Sequence, residues 1–267
     1  MSLKSCINVI LKKFNLKLIF FSNYKNLLLS AHTNAQNFFD LNFLNTVKKD
    51  KKKLFKTLKY LPLSNSQFRQ DLFVLNQLNF KKGGFFVEFG AADGVKDSNT
   101  FLLEKKFKWK GILAEPARVN YKKLLLYRKC KIETKIVWKD SNSELLFNET
   151  KAKLSSSIDN LSLLAANNGL RGETVRKYKL KTISLNDLLQ KYGAPKNIDY
   201  LSIDTEGSEF DILNAFNFEK YKFKVITVEI LSNKKKIHNL LSLNGYKNIF
   251  SNISGFDNWY VNKSIIN

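Results

Sequence analysis

Six carboxylates stand at or near the ends of short apolar runs in this sequence. "FFVEFGAADGVKDSNT", residues 85–100, holds Glu88 inside the run and Asp93 between Gly90 and Gly94. "WKGILAEP" ends in Glu115, and "IDYLSIDTEGSEFDIL" carries Asp204 and Glu206 two residues apart. "VITVEI" carries Glu229. Acids brought together repel one another, so the set needs a chemical reason. A cationic cofactor, general-base work or a divalent metal would each provide one. Read singly, each acid could instead be a helix cap or a solvated loop end.

The first motif narrows the choice. Gly90 and Gly94 follow an apolar run, and glycines there let backbone approach a ligand. The spacing is G-x-x-x-G rather than the G-x-G-x-x-G of dinucleotide folds, and the loop carries acid where a P-loop carries lysine. Asp97, Ser98 and Asn99 can cap the helix that follows. A carboxylate-lined turn suits a ligand with cationic groups and hydroxyls, and S-adenosyl-L-methionine is such a ligand. Glu115, at the end of the next run, is placed to accept hydrogen bonds from both ribose hydroxyls. Pro116 behind it offers the competing reading, a helix N-terminus. If the chain stays extended from Asp204 to Glu206, both carboxylates point to one side.

These residues require strands ending at a common edge, and the hydrophobic rhythm supplies them. From residue 85 onward short β-rich runs alternate with amphipathic segments. Strands are expected at 85–89, 111–115, 132–138, 198–204 and 224–229. Helices are expected at 99–106, 117–128, 185–191 and 208–216, with a helix and a strand pair near the end. Such alternation implies an α/β doubly wound, mostly parallel sheet with helices on both faces. Residues 141–179 read as a loop and helix insertion near the site. Upstream, residues 41–61 read as one helix ended by Pro62, with the lysine run 48–53 on its solvated side. Residues 64–78 read as a capped helix leading to Gly83 and Gly84. The boundary falls between a basic helical N-terminal extension, 1–63, and a catalytic-type domain, 64–267.

The chain has 267 residues and a formal charge of +22. Only five of its 45 basic residues are arginine, and Asn, Ile and Phe are abundant. Specific nucleic-acid readers lean on the arginine fork, so the charge reads as biased composition and no specific nucleic-acid partner is expected. Cys6 and Cys130 fit no metal spacing or disulfide framework, and no metal set is assigned. Reducing cytoplasm is the expected compartment. Residues 1–30 have helical apolar spacing interrupted by Lys12, Lys13 and Lys17, too broken to span a bilayer. They are expected to dock on their own domain, with peripheral contact with an anionic membrane as the alternative.

The three long motifs, in this order and spacing, resemble the FkbM-type family of S-adenosylmethionine-dependent methyltransferases. "SQFRQDLFVL", "KTISLNDLLQKYGAPKNIDYL" and "GFDNWYVNK" extend the resemblance to about residues 64–263. It implies a class I methyltransferase, Rossmann-like fold with an antiparallel C-terminal edge hairpin, and O-methylation of a hydroxyl on a small molecule or glycan. It also implies cofactor contacts from Gly90, Ala91, Asp93 and Gly94, with Glu115 on the ribose. Glu88 and Asn99 complete the candidate cofactor set. Asp204 and Glu206 would sit beside the methyl group, and with Glu229 they form the candidate catalytic set. Many members have His after the last strand's Glu, where this chain has Ile230. His32 and His238 lie elsewhere, and His238 reads as a surface helix residue, so a base would have to be a carboxylate. Two rival functions are an RNA methyltransferase and a non-catalytic Rossmann-like module at a membrane. No Asn-Pro-Pro-Tyr tetrad follows the fourth strand, which counts against methylation of base amino groups.

Overall fold

The computed structural model describes residues 35–150, 157–158, 174–230 and 232–266. The amphipathic pattern of 1–30, His32 and the Gly169/Gly172 pair lie outside the described residues. Two compact units divide the chain, Met1–Ser64 and Asn65–Asn267.

In the first unit the sequence predicts one helix over 41–61, and the structure has two: α1 (Ala35–Val47) and α2 (Lys51–Tyr60). Asp50 breaks the run. Its backbone is extended, and its carboxylate accepts the Lys53 N–H at 2.9 Å, capping α2. A short acid that bonds its own backbone competes with helix continuation. Pro62 sits in the 3₁₀ turn Leu61–Leu63 that follows.

The second unit opens with α3 (Gln70–Gln77), and then runs β1 (Phe85–Phe89), α4 (Phe101–Phe107), β2 (Lys110–Ala114), α5 (Arg118–Tyr127) and β3 (Lys131–Glu133). Next come β4 (Ile136–Trp138), β5 (Glu144–Thr150), β6 (Ser157–Ile158), β7 (Thr174–Ser184) and α6 (Leu185–Lys191). The chain finishes with β8 (Asn197–Ile203), α7 (Glu209–Asn214), β9 (Lys222–Glu229), α8 (Lys234–Leu243), β10 (Tyr246–Ile249) and β11 (Asp257–Asn262). The main sheet has seven strands in the order β10-β11-β9-β8-β1-β2-β3. Pairings among β3, β2, β1, β8 and β9 are parallel, and β11 runs antiparallel to both β9 and β10. This is a mixed α/β, mostly parallel architecture of the Rossmann-like kind. Central strands covered on both faces should read as continuous apolar runs. β8 is nearly so: Ile198, Tyr200, Leu201 and Ile203 are all at most 1% exposed, with Asp199 and Ser202 buried among them.

Two segments depart from the sequence expectation. The strand expected over 132–138 is two strands in two sheets, β3 and β4. Glu133 makes the break. Its carboxylate accepts the N–H groups of Thr134 and Lys135, at 3.0 and 3.1 Å, and pairs with Lys191 at 2.6 Å. The backbone bonds that would have continued the ladder are thus spent on a turn. Of residues 141–179, expected as loop and helix, 151–156 and 159–173 lie outside the described residues, and the described ones include β5, β6 and the start of β7. These join β4 in a second sheet, ordered β4-β7-β5-β6. Lys177, Lys179 and Lys181 alternate outward with Tyr178, Leu180 and Thr182 inward, a half-buried strand pattern. The inner side packs Ile136, Phe147 and Ile158 with Ala117.

Candidate active site

The strand order reverses between β1 and β8, because the chain leaves β1 toward β2 and β3 and returns to β8. In open α/β sheets ligands bind at such a switch point, beyond the carboxyl ends of the strands. Gly90 ends β1 there, and Asp204 ends β8. The two strands pair Phe89 with Ile203, so the next residues meet. A Cβ on Gly90 would lie 1.9 Å from the Asp204 carbonyl oxygen, and its φ of 72° is left-handed. Only glycine fits.

A cleft opens at this point. It is lined by Phe89, Gly90, Ala92, Ala114, Glu115 and Pro116 on one side and by Asp204, Thr205, Glu206 and Ser208 on the other. Ile136, Val137, Phe147 and Ile158 add an apolar wall from the second sheet. Among the described residues no lysine or arginine lines the cleft, although the chain carries 45 of them. The cleft is therefore acidic in a strongly basic protein.

Acids gather here as the sequence predicts for one end of the sheet, Asp204 and Glu206 in the lining and Glu229 beside them but outside it, and by a different backbone. Asp204, Glu206 and Glu229 are half-buried, with one oxygen of each within 4.8 Å of the others. That spacing admits shared protons or a divalent cation. The extended path expected from Asp204 to Glu206 is not kept. Glu206 has φ 59°, left-handed, and Gly207 follows at φ 117°. Glu209 ties this turn down, its Oε1 accepting N–H bonds from Thr205 and Gly207 at 3.1 and 2.9 Å.

Burial pushes the Asp204 carboxyl well above its usual range, and the charges of Glu229, Glu206 and Asp257 push it further. Glu206 is raised to about 8, by burial and then by Glu229 and Glu209. Asp257 is a fourth member that the sequence reading missed. It lies directly opposite Glu229 in the β11–β9 ladder. Burial, aided by Glu229, lifts it to about 7 against a hydrogen bond from Gln70. The motif "GFDNWYVNK" contains it, but only the antiparallel register reveals its neighbour.

Glu115 ends β2 at the opposite lip. One carboxylate oxygen accepts the Ala117 N–H at 2.8 Å, and the other accepts the Ala92 N–H at 2.7 Å. Burial raises it to about 7 despite these bonds. The competing helix-start reading thus holds alongside the pocket position: Glu115 fixes the start of α5 and also the glycine loop.

Glu88, Ala91, Asp93, Gly94 and Asn99 are not among the lining residues. Glu88 turns into the protein. It accepts bonds from Ser98 Oγ, the Asn99 N–H at 2.7 Å and Thr100 Oγ1. Asp93 accepts from Val95 and Lys96 N–H and pairs with Lys123 at 3.2 Å. Asn99 Nδ2 bonds Ser202 Oγ at 2.9 Å. Ala91 is buried. Gly94 has φ 76°, and a Cβ there would meet Leu124 and Arg128. Arg128, a second residue missed from sequence, is fully buried behind this loop. It donates to the Gly94 carbonyl (2.9 Å), Ser98 Oγ (3.1 Å), Thr100 Oγ1 (2.8 Å) and Glu104 (2.8 Å). Glu88 and Arg128 therefore hold the loop's geometry together with the glycines.

A family model described as the methyltransferase FkbM domain matches residues 88–248, more than half of the chain. The chain belongs to the FkbM methyltransferase domain family. The matched span begins at Glu88 in β1 and ends in β10, so it encloses the whole cleft. No curated protein matches the chain significantly. His238 is exposed on α8 of the FkbM domain, and Ile230 stands after Glu229, so the cleft's titratable groups are carboxyls.

Proposed function

We propose that this FkbM domain is an S-adenosyl-L-methionine-dependent O-methyltransferase acting on a hydroxyl of a saccharide or glycoconjugate. The observation that carries the proposal is the acidic cleft, with no basic residue lining it among the described residues, at the switch point of a protein charged +22. The cofactor's sulfonium and ammonium groups relieve that buried negative charge. The residues fit it: the Gly90 turn presents bare backbone, Glu115 stands where a ribose would lie, and the Ile136–Phe147 wall suits an adenine ring. Bound there, the cofactor supplies an electrophilic methyl group.

The chain's own residues do the rest. One carboxylate of the set Asp204, Glu206 and Glu229 takes the proton of the acceptor hydroxyl as its oxygen becomes the nucleophile. The cofactor's positive charge favours the ionised form of Asp204 and Glu206, and a carboxylate whose pKa burial has raised is then a stronger base than an ordinary one. Holding acceptor and donor in line supplies much of the remaining rate. A polyanionic acceptor is disfavoured, because the same carboxylates repel phosphate, so the neutral hydroxyl of a sugar suits the cleft better than RNA. Glu88, Asp93, Gly94 and Asn99 act by holding the glycine loop.

The test is calorimetric titration of S-adenosylmethionine and S-adenosylhomocysteine into wild type and Gly90→Arg. Wild type binds and the variant does not. Failure of wild type to bind either molecule refutes the proposal.

A further inference from the structure

Helix α5 carries an outer face that the cleft does not explain. Leu125 and Leu126 are 73% and 72% exposed, and Val119 and Tyr127 are 48% and 44% exposed. The inner face is firmly seated, with Asn120 and Leu124 fully buried. At 100° per residue the outer side chains form alternating rows. Val119 and Leu126 lie in one row, Lys122 in the next and Leu125 beyond it, and exposed Lys129 follows just past the helix end. Arg118 and Lys123 also lie on α5 and are exposed, Lys123 paired with Asp93 and Arg118 over the Tyr178 ring. No acid occurs between Glu115 and Glu133.

We propose that this face docks on an anionic membrane surface. Leucines that stand in water gain by entering the headgroup–acyl boundary, and interleaved lysines gain from anionic headgroups. Nucleic acid fits less well, since its binding faces use arginine and stacking aromatics rather than paired leucines. Helix α5 starts three residues beyond Glu115, so docking brings lipid-carried hydroxyls near the cleft. That consequence rests on the methyl-transfer reading, whereas the docking does not.

The experiment floats the full chain with phosphatidylcholine vesicles, with and without phosphatidylserine. Wild type floats only with phosphatidylserine, and less as salt is raised. Leu125→Ser/Leu126→Ser, and separately Lys122→Glu/Lys129→Glu, each cut the bound fraction about tenfold. All four residues are exposed, so melting temperature and cofactor titration should match wild type in both variants, which separates lost docking from lost folding or chemistry. The proposal is overturned if wild type does not float, or if both variants float like wild type, which would place attachment elsewhere in the chain. It is also overturned if the leucine variant loses RNA binding or self-association while still floating.

Discussion

Asp204 and Glu206 are the residues whose chemistry can be tested most directly. Glu206→Gln keeps size and shape but removes the proton acceptor. If Glu206 takes the hydroxyl proton, kcat falls by roughly 10²- to 10⁴-fold while cofactor affinity changes little. Asp204→Asn should lower both, because Asp204 also supplies charge deep in the cleft. Steady-state kinetics and calorimetry on the two variants divide the roles, and unchanged kcat in both would remove the carboxylate-base idea. Gly90 sets a steric limit instead of a chemical one. Gly90→Ala forces a Cβ to 1.9 Å from the Asp204 carbonyl, so the ends of β1 and β8 must separate. Cofactor binding should be lost, with a melting temperature several degrees lower. Full cofactor binding by a stable Gly90→Ala protein would show that this close approach is not required.

At the scale of elements, the glycine loop is held from behind by α5. Arg128, just past its end, has four hydrogen bonds to the loop, to Thr100 at the start of α4 and to Glu104. Removing one partner of a buried charge network leaves the others unpaired, at a cost of about 3–5 kcal/mol. Arg128→Met should therefore lower stability by that order in urea denaturation. Arg128→Lys should recover part of the stability but not the loop geometry, because an ammonium cannot reproduce the planar fork. A raised cofactor Kd in a stably folded Arg128→Lys protein would mark Arg128 as a positioning residue, and an unchanged Kd would confine it to stability. β8 was legible because most of its residues are apolar, and Glu115 and Asp204 follow directly on strand ends by simple counting. Asp50 and Glu133 hid element breaks, since a single acid capping its own backbone leaves no trace in hydrophobic rhythm. The second sheet hid for a related reason. β5, ELLFNET, mixes apolar and polar residues without a clean period, and in β7 only the period-2 alternation of Lys177, Lys179 and Lys181 identifies a strand. Arg128 and Asp257 could not be found at all without tertiary contacts, because their partners lie 24 to 34 and 187 residues away.

Over the whole molecule, two groups of acids pull the pH dependence of stability in opposite directions. Asp199 is held below its usual range despite burial by hydrogen bonds from Lys224, Lys81 and the Phe85 N–H, and Glu104 by Arg128. Their contribution is present above the unfolded pKa and disappears as pH falls through the lower folded value. The cleft acids behave oppositely. Glu206 is raised to about 8, and Glu115 and Asp257 to about 7. The folded chain then binds more protons than the unfolded chain between roughly pH 4 and 8, so stability falls as pH rises through that range. Thermal melts of the free protein should decline from pH 5 to pH 8. A cation bound in the cleft favours the ionised carboxyls, so S-adenosylmethionine must release protons as it binds. Its affinity therefore increases with pH across the same window, and its binding heat at pH 7 differs between phosphate and Tris by the buffers' ionisation enthalpies. S-adenosylhomocysteine lacks the sulfonium charge and should release fewer protons. Equal heats in both buffers would mean that the acidic cleft is not where the positive charge is received.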